Sequence, residues 1–189
     1  MGNFRSSRTT TAGEQTSRFA TPVATGGGFD GAAKIETKIR KINGEIITTI
    51  LVDLQGLVVS GTVKDIIGEN GVAAAYLTRV QAARNGRVYK IEVGCIETPA
   101  GTNTTADIDL VSNSASLAED AEYDGSGSAI ALVTAGGNYT TGMYKVSAAS
   151  TDLSALNGDY LYLVNGSGSN SGGTYTAGKF IIKLFAANF

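Results

Sequence analysis

The chain has 189 residues, of which 42% are apolar and 17% are charged, and its net charge at pH 7 is −2. This length can bury the core of one medium domain, and the apolar content excludes a wholly disordered chain. The small net charge excludes a general nucleic-acid binder. There is no histidine and the only cysteine is Cys95, so histidine triads, an intrachain disulfide and a cysteine-type zinc site are also excluded.

The first 33 residues differ in composition from the remainder. They are rich in Ser, Thr and Gly, show no hydrophobic period and end beside a glycine-rich hinge. We therefore predict a flexible N-terminal arm, residues 1–33, and a β-sandwich body, residues 34–189. The arm is either a disordered tail or a segment that orders on a partner. Aromatic and basic side chains along it favour the second interpretation, and they are Phe4, Arg5, Arg8, Arg18 and Phe19.

The arm lacks the apolar segment of a signal peptide, so we expect no export signal. No run in the chain approaches the roughly 20 apolar residues of a membrane-spanning helix. We therefore expect no membrane partner.

Residues 34–54 carry the strongest local pattern in the chain. Two β-rich runs with recurring isoleucines are separated by Asn43-Gly44. Asn and Gly tolerate the positive φ of a tight type I′ turn, whose twist matches that of the strands it joins. The pattern predicts a long β-hairpin with its turn at Asn43-Gly44.

The segments after the hairpin are mostly short strands between turn residues. Thr62 and Gly68 are positioned to begin and end a single helical turn over residues 62–68. In residues 87–97, alternation predicts a mainly polar face of Val88, Lys90, Glu92 and Gly94 opposite a mainly apolar face of Tyr89, Ile91, Val93 and Cys95. Further strands are predicted over residues 72–80, 106–111, 129–133, 143–147, 160–164 and 175–185.

Asn-Gly occurs five times, at Asn43, Asn70, Asn85, Asn157 and Asn165. Helical proteins have little use for so many tight turns, whereas antiparallel sheets need them. We therefore predict an all-β fold, an antiparallel β-sandwich of jelly-roll type, with the extended arm at its N-terminus. Cys95 falls within an alternating apolar run and is predicted to be a buried core thiol.

Acidic residues between positions 107 and 124 are candidate ligands for a calcium ion. Asp107 and Asp109 are two residues apart on a predicted strand, so their carboxylates share a face. The other candidates are Glu119, Asp120, Glu122 and Asp124. A solvated acidic face is the favoured interpretation, because the loop lacks the ligand spacing of an EF-hand. A glycosidase pair is disfavoured by the absence of tryptophan, and no phosphate-binding loop is present. We therefore predict no enzyme, no metal and no cofactor.

Basic residues cluster around Asn85-Gly86, and they are Arg79, Arg84, Arg87 and Lys90. They predict a basic contact patch for an acidic partner. Residues 1–99 carry a net charge of +3 and residues 100–189 one of −5, which predicts a polarised surface. The patch contains one tyrosine and no interleaved aromatic residues, so no nucleic-acid partner is expected.

Several segments together resemble virion structural proteins of tailed bacteriophages, in particular capsid decoration, or cement, proteins of marine phages. The segments are KIRKINGEIITTILVDLQGL, DIIG, GVAAAYLTRV, NGRVYKIEVGCIETPAG and DIDLVSNSA, with YTAGKFIIKLFA at the end of the chain. The resemblance covers roughly residues 34–115 and the final strand. None of these motifs is catalytic, and the resemblance implies no active-site residue.

The resemblance implies a non-enzymatic decoration protein that binds the major capsid protein lattice and stabilises the head. The protein would be made in the host cytoplasm and end on the outer capsid surface of the virion, as a homo-trimer that matches the lattice symmetry. The arm would dock on capsid subunits.

The alternative is a carbohydrate- or receptor-binding module of a phage tail or fibre. Its stacking surfaces would come from the eight tyrosines, which are Tyr76, Tyr89, Tyr123, Tyr139, Tyr144, Tyr160, Tyr162 and Tyr175.

Overall fold

A computed structural model describes residues 34–166 and 171–187. The predicted arm, with its candidate side chains Phe4, Arg5, Arg8, Arg18 and Phe19, lies outside the described residues.

The described residues form ten strands, one four-residue helix and a single 3₁₀ turn, Ser154–Leu156. The helix α1 spans Ala82–Asn85. The strands are β1 (Ile35–Ile42), β2 (Glu45–Asp53), β3 (Val58–Val59), β4 (Thr78–Arg79), β5 (Arg87–Gly101), β6 (Ile108–Asn113), β7 (Ala129–Val133), β8 (Tyr144–Val146), β9 (Tyr160–Asn165) and β10 (Gly173–Ala187).

The strands form two antiparallel sheets, which confirms the predicted all-β sandwich. The larger sheet has the order β1-β2-β10-β5-β8, and the short β3 also pairs with β10. The smaller sheet has the order β4-β9-β6-β7. The jelly-roll part of the prediction is not confirmed by this strand order.

The predicted hairpin is confirmed with its turn in place. β1 and β2 pair without interruption from Ile35 opposite Val52 to Ile42 opposite Glu45. The turn residues Asn43 and Gly44 have φ of 49° and 81°, the positive values that a type I′ turn needs.

One hydrophobic core fills the space between the sheets. Alternate residues of each strand face inward, as the period of two predicts. From the larger sheet these include Ile50, Val52, Phe180, Ile182 and Leu184, and from the smaller sheet Leu110, Leu161 and Leu163. Cys95 is also buried here, as predicted, with 4% of its surface exposed.

A second hydrophobic cluster covers the other side of the smaller sheet. Ile66, Ala75 and Leu117, from the segments before β4 and after β6, pack on Tyr162 and Val164 of the sheet. The smaller sheet is therefore covered on both faces. Among the described residues, nothing covers the outer face of the larger sheet in the same way.

Three local predictions are wrong. Residues 62–68 form no helical turn, because Ile66 is drawn into the second cluster and its backbone bridges Val164 of β9. Within residues 72–80, only Thr78–Arg79 is strand. In β5 the faces of Val88 and Tyr89 are exchanged, so that Val88 is buried and Tyr89 exposed. The register there shifts between Phe185 and Ala186, where a β-bulge inserts one residue and resets the alternation.

Candidate interaction surface

The outer face of the larger sheet exposes an unusual amount of apolar surface. Ile42, Tyr89, Tyr144 and Val146 have 43%, 56%, 52% and 44% of their surface exposed. Strand register places further half-buried apolar side chains beside them, since Leu51 is opposite Ile181. We call this surface the apolar face and define it by Ile42, Ile47, Leu51, Tyr89, Tyr144, Val146, Ile181 and Phe185.

On β5, Gly94 leaves the outer surface without a side chain between Ile181 and Tyr144. It pairs with Ile181 on one side and with Tyr144 on the other. A Cβ at this position would lie 3.0 Å from Ile181 Cγ2 and 3.8 Å from the Tyr144 ring. The missing side chain therefore leaves room for an aliphatic and an aromatic side chain to approach β5 from both sides.

A polar row of Thr49, Lys183 and Glu92 crosses the apolar face between Phe185 and Ile181. Glu92 is paired with Lys90 beside it. Lys90 Nζ lies 2.5 Å from Glu92 Oε1 and 4.9 Å from the centre of the Phe185 ring. Desolvation raises the pKa of Glu92, but hydrogen bonds from Lys90 and Tyr144 outweigh it and hold this pKa below its ordinary value. Desolvation and the bond to Glu92 raise the pKa of Tyr144 to about 12. The Tyr89 hydroxyl likewise donates to Glu45.

A mainly apolar surface on which Lys90, Glu92 and Tyr144 are linked to one another suits a protein partner. Exposed apolar patches of this kind mark protein interaction sites, and interface centres are poor in unpaired charge. At the rim of the face, Lys179 Nζ lies 2.7 Å from Glu97 and 3.7 Å from Asp53.

The structure brings together two of the four residues of the predicted basic patch. Arg84 Nη2 donates to the Arg79 carbonyl oxygen at 2.8 Å and to Thr78 Oγ1 at 3.3 Å. Arg79 Nε donates to the Gly158 carbonyl oxygen at 2.9 Å, and the guanidinium lies 5.1 Å from the Tyr160 ring centre. Partial burial lowers the pKa of Arg84. Arg79 and Arg84 thus form a small basic surface at the β4 edge of the smaller sheet.

The other two patch residues lie on β5 and make different contacts. Lys90 belongs to the apolar face. Arg87 lines a cavity of about 540 Å³ between α1, the start of β5 and the 3₁₀ turn, with Val80, Leu153 and Leu156 among its apolar walls. The four residues of the predicted patch therefore lie in three places: the β4 edge, the apolar face and the wall of this cavity.

The eight tyrosines divide into three groups by exposure. Tyr139, Tyr162 and Tyr175 are fully buried and cannot stack on a ligand. Tyr89 and Tyr144 belong to the apolar face. Of the partly buried tyrosines, Tyr76 and Tyr160 form a ring pair with centres 4.7 Å apart, next to Arg79. Tyr123 is the other half-buried ring.

Three of the acidic candidates for calcium binding are held by separate partners, and Asp107, predicted to lie on a solvated acidic face, is buried with 3% of its surface exposed. Asp109 Oδ1 accepts the Ala135 N–H at 2.6 Å, and burial raises the pKa of this carboxyl. Glu119 Oε2 accepts the Gly71 N–H at 3.2 Å, and Asp124 pairs with Lys64 at 2.6 Å. Among residues 34–166 and 171–187, no group of three or more Asp, Glu, Cys or His side chains is arranged to hold a metal ion.

The sequence analysis missed the apolar face, although a signal was present. The runs Ile46–Val52 and Phe180–Phe185 carry apolar residues at outward as well as inward positions, with Thr49 and Lys183 as the polar outward residues. A strand of a sheet with one solvated face would place polar residues at every outward position. Ile47, Leu51, Ile181 and Phe185 depart from that pattern.

No protein-family model, curated protein or solved structure matches the chain. Within the described ranges, no helix has the length and apolar character needed to cross a membrane.

Proposed function

We propose that the protein is a non-enzymatic capsid decoration protein of a tailed bacteriophage. In this proposal it is made in the host cytoplasm and binds the major capsid protein lattice as a homo-trimer on the outer surface of the virion. Binding the assembled lattice in preference to free subunits stabilises the head by mass action. The family part of the proposal rests on the sequence resemblance.

The observation that carries the proposal is the apolar face. It offers a broad, mainly apolar sheet surface on which Glu92 is paired with Lys90, as suits a protein that adheres to a shell. Arg79 and Arg84 supply a separate basic contact for acidic capsid side chains. The arm, with Phe4, Arg5, Arg8, Arg18 and Phe19, adds a third point of attachment. Several attachments on one chain raise avidity for an ordered lattice.

Binding to undecorated heads of the phage that encodes the chain tests the proposal. Purified protein is sedimented with the heads, and bound copies are located by cryo-electron microscopy. Ile42→Ser and Val146→Ser should each weaken binding about fivefold, because each removes exposed apolar contact area. Val63→Ser is the matched control, since Val63 has the same 44% exposure as Val146 but lies in a loop away from the apolar face.

The arm is tested separately by the double change Phe4→Ala and Phe19→Ala, which should abolish stable binding if the arm docks on capsid subunits. Protein density absent from the head, or equal binding by the Val146→Ser and Val63→Ser variants, would contradict the proposal.

The second candidate is a carbohydrate- or receptor-binding module of a tail or fibre, and one observation favours it. The Tyr76–Tyr160 ring pair with Arg79 beside it provides an aromatic and a cationic contact on one surface. On a glycan array, binding that is lost on Tyr76→Ser or Arg79→Ala, together with particle density at the tail, would support this function. Head binding that is unaffected by Tyr76→Ser but weakened by Arg79→Ala would favour the decoration protein.

A further inference from the structure

The free edge of β1 is the longest regular sheet edge among the described residues. β1 ends the order of the larger sheet and pairs with β2 through eight uninterrupted positions. The other edge strands are shorter, with three residues in β8, two in β4 and five in β7. Proteins usually protect edges by short strands, bulges, proline or charged side chains, because unpaired N–H and C=O groups recruit another strand. The charges of β1 are of both signs, with Glu36 beside Lys38, Arg40 and Lys41. β1 contains no bulge and no proline.

Hydrogen bonding with β2 determines which groups of β1 point outward. The Asp53 N–H donates to the Lys34 carbonyl oxygen at 2.8 Å, so the opposed pair Lys34 and Asp53 is hydrogen-bonded. In an antiparallel ladder such pairs alternate with non-bonded ones. Thr37 and its alternate neighbours therefore direct their N–H and C=O groups away from β2, and these residues are Ile35, Thr37, Ile39 and Lys41.

A second β1 strand fits this edge in one favourable register. With Thr37 opposite Thr37 of the second copy, the outward-directed groups of both strands meet. Glu36 then lies opposite Lys38 of the other copy, twice by symmetry, and Ile35 lies opposite Ile39. Opposite-charge, apolar and Thr–Thr pairs all stabilise neighbouring strands.

The neighbouring registers are less favourable. The two antiparallel copies are related by a two-fold axis, which passes through Thr37 in the favoured register. If the axis passes through Lys38, two lysines lie opposite each other. If it passes through Ile39, Lys38 lies opposite Arg40. In the favoured register the like-charged pair is Lys34 with Arg40, at its ends. Lys34 Nζ is directed toward Gly56 of its own chain.

Charge complementarity at the two-fold axis selects a second copy as the occupant of this edge. Lys38 Nζ already lies 2.7 Å from Glu36 Oε1 within one strand. In the pair, two glutamates and two lysines would alternate around the axis. We infer that two copies of this chain associate through antiparallel β1 strands about a two-fold axis at Thr37, joining their larger sheets into one.

This contact does not depend on the capsid proposal. It leaves Tyr144, Val146 and the basic surface at Arg79 unobstructed, so it can also link neighbouring trimers on a lattice. On a joined sheet the two apolar faces lie on the same side and double the surface offered to a partner.

Charge exchange in the full-length chain tests the inference. Sedimentation velocity over a concentration series should show a monomer–dimer equilibrium. Glu36→Lys should weaken dimerisation by at least about tenfold, because both symmetric pairs become repulsive. The double variant Glu36→Lys with Lys38→Glu should restore it, since the charges are exchanged and still complementary. A monomer at all concentrations, a trimer alone, or no rescue would overturn the inference.

Two further measurements locate the contact. Under oxidising conditions Thr37→Cys should form a disulfide-linked dimer, because opposed Cα atoms about 5.5 Å apart suit a disulfide. Thr62→Cys, on an exposed loop, should link much more slowly. The buried Cys95 does not compete.

Hydrogen exchange should show protection of the Ile35, Thr37, Ile39 and Lys41 amides that increases with protein concentration. Protection independent of concentration would identify residues 1–33 of the same chain as the occupant and overturn the inference. Equal linking rates for the two cysteine variants would overturn it as well.

Discussion

At the scale of single residues, Asn85 is a buried polar side chain that joins α1 to the larger sheet. Its Oδ1 accepts the Gln81 N–H at 2.9 Å, and its Nδ2 donates to Thr48 Oγ1 at 3.0 Å on the core side of β2. We expect Asn85→Ala to lower the free energy of unfolding by about 2 kcal/mol, because the buried Thr48 hydroxyl and the part-buried Gln81 N–H lose their partner. Urea denaturation measures the change.

Asn157 provides the matched control for Asn85. Its Oδ1 accepts the N–H of Ala82, the next residue of the same helix start, also at 2.9 Å, but Asn157 is exposed. Water can replace that bond, so Asn157→Ala should cost only about 0.5 kcal/mol. Equal losses of stability for the two variants would mean that burial of the asparagine does not determine the cost of removing it.

The sequence predicted a turn at Asn85-Gly86 but not the role of the asparagine side chain. The partner Thr48 is 37 residues away along the chain. No local pattern encodes that contact, because it exists only once β2 and α1 are packed together.

At the scale of elements, the two longest strands, β5 and β10, depend on a backbone irregularity at Gly178. This residue has φ of 131°, and a Cβ on it would lie 2.9 Å from Leu54 Cδ1 and 3.0 Å from Pro99 Cα. We expect Gly178→Ala to destabilise the protein by at least about 2 kcal/mol, since backbone strain and a clash with backbone act together. Thermal and urea unfolding measure the loss.

Gly71→Ala isolates the backbone contribution. Gly71 has φ of 79° with no atom within 4 Å of the added Cβ, so we expect a cost of about 1 kcal/mol. If Gly178→Ala is no less stable than Gly71→Ala, Leu54 and Pro99 move to accommodate the added methyl group without a measurable loss of stability.

The positions of most strands were predictable from the sequence. Which residues of a strand face the core, and which strands pair, was predictable only in part. The hairpin over β1 and β2 was predicted in full because its turn is local. In β5 the alternation was predicted correctly from Ile91 onward, but the bulge reversed Val88 and Tyr89. A bulge depends on register with β10, which lies far along the chain, so residue alternation alone does not reveal it.

At the scale of the whole molecule, the candidate surface arises from pairings that are distant in sequence. β10 lies between β2 and β5 and brings Ile181 and Phe185 beside Leu51 and Ile47. The basic residues near Asn85-Gly86 are neighbours in sequence, yet they separate because β4 belongs to the smaller sheet and β5 to the larger one. Apolar residues at outward positions were visible in the sequence, but their union into one face required the strand order.

One carboxyl group on each sheet has a shifted pKa, and the two shifts have opposite directions. Their contributions to stability should therefore depend on pH in opposite ways. On the larger sheet, Lys90 and Tyr144 keep the pKa of Glu92 below its ordinary value in spite of desolvation. On the smaller sheet, burial raises the pKa of Asp109 in spite of its bond to the Ala135 N–H. A depressed carboxyl pKa stabilises the folded state above the ordinary pKa, whereas a raised one costs stability above the raised pKa.

Glu92→Gln and Asp109→Asn should therefore change stability at neutral pH with opposite signs. Glu92→Gln should lower the free energy of unfolding by about 1 kcal/mol, and its deficit should vanish as pH falls from the ordinary glutamate value of about 4.3 through the depressed pKa. Asp109→Asn keeps the acceptor oxygen, removes the buried charge and should raise stability at neutral pH. Its advantage should vanish as pH falls from the raised pKa to the ordinary aspartate value of about 3.9. Urea denaturation between neutral pH and roughly pH 2.5 measures both profiles, and differences that persist at the acid end would show that lost packing, not charge, causes them.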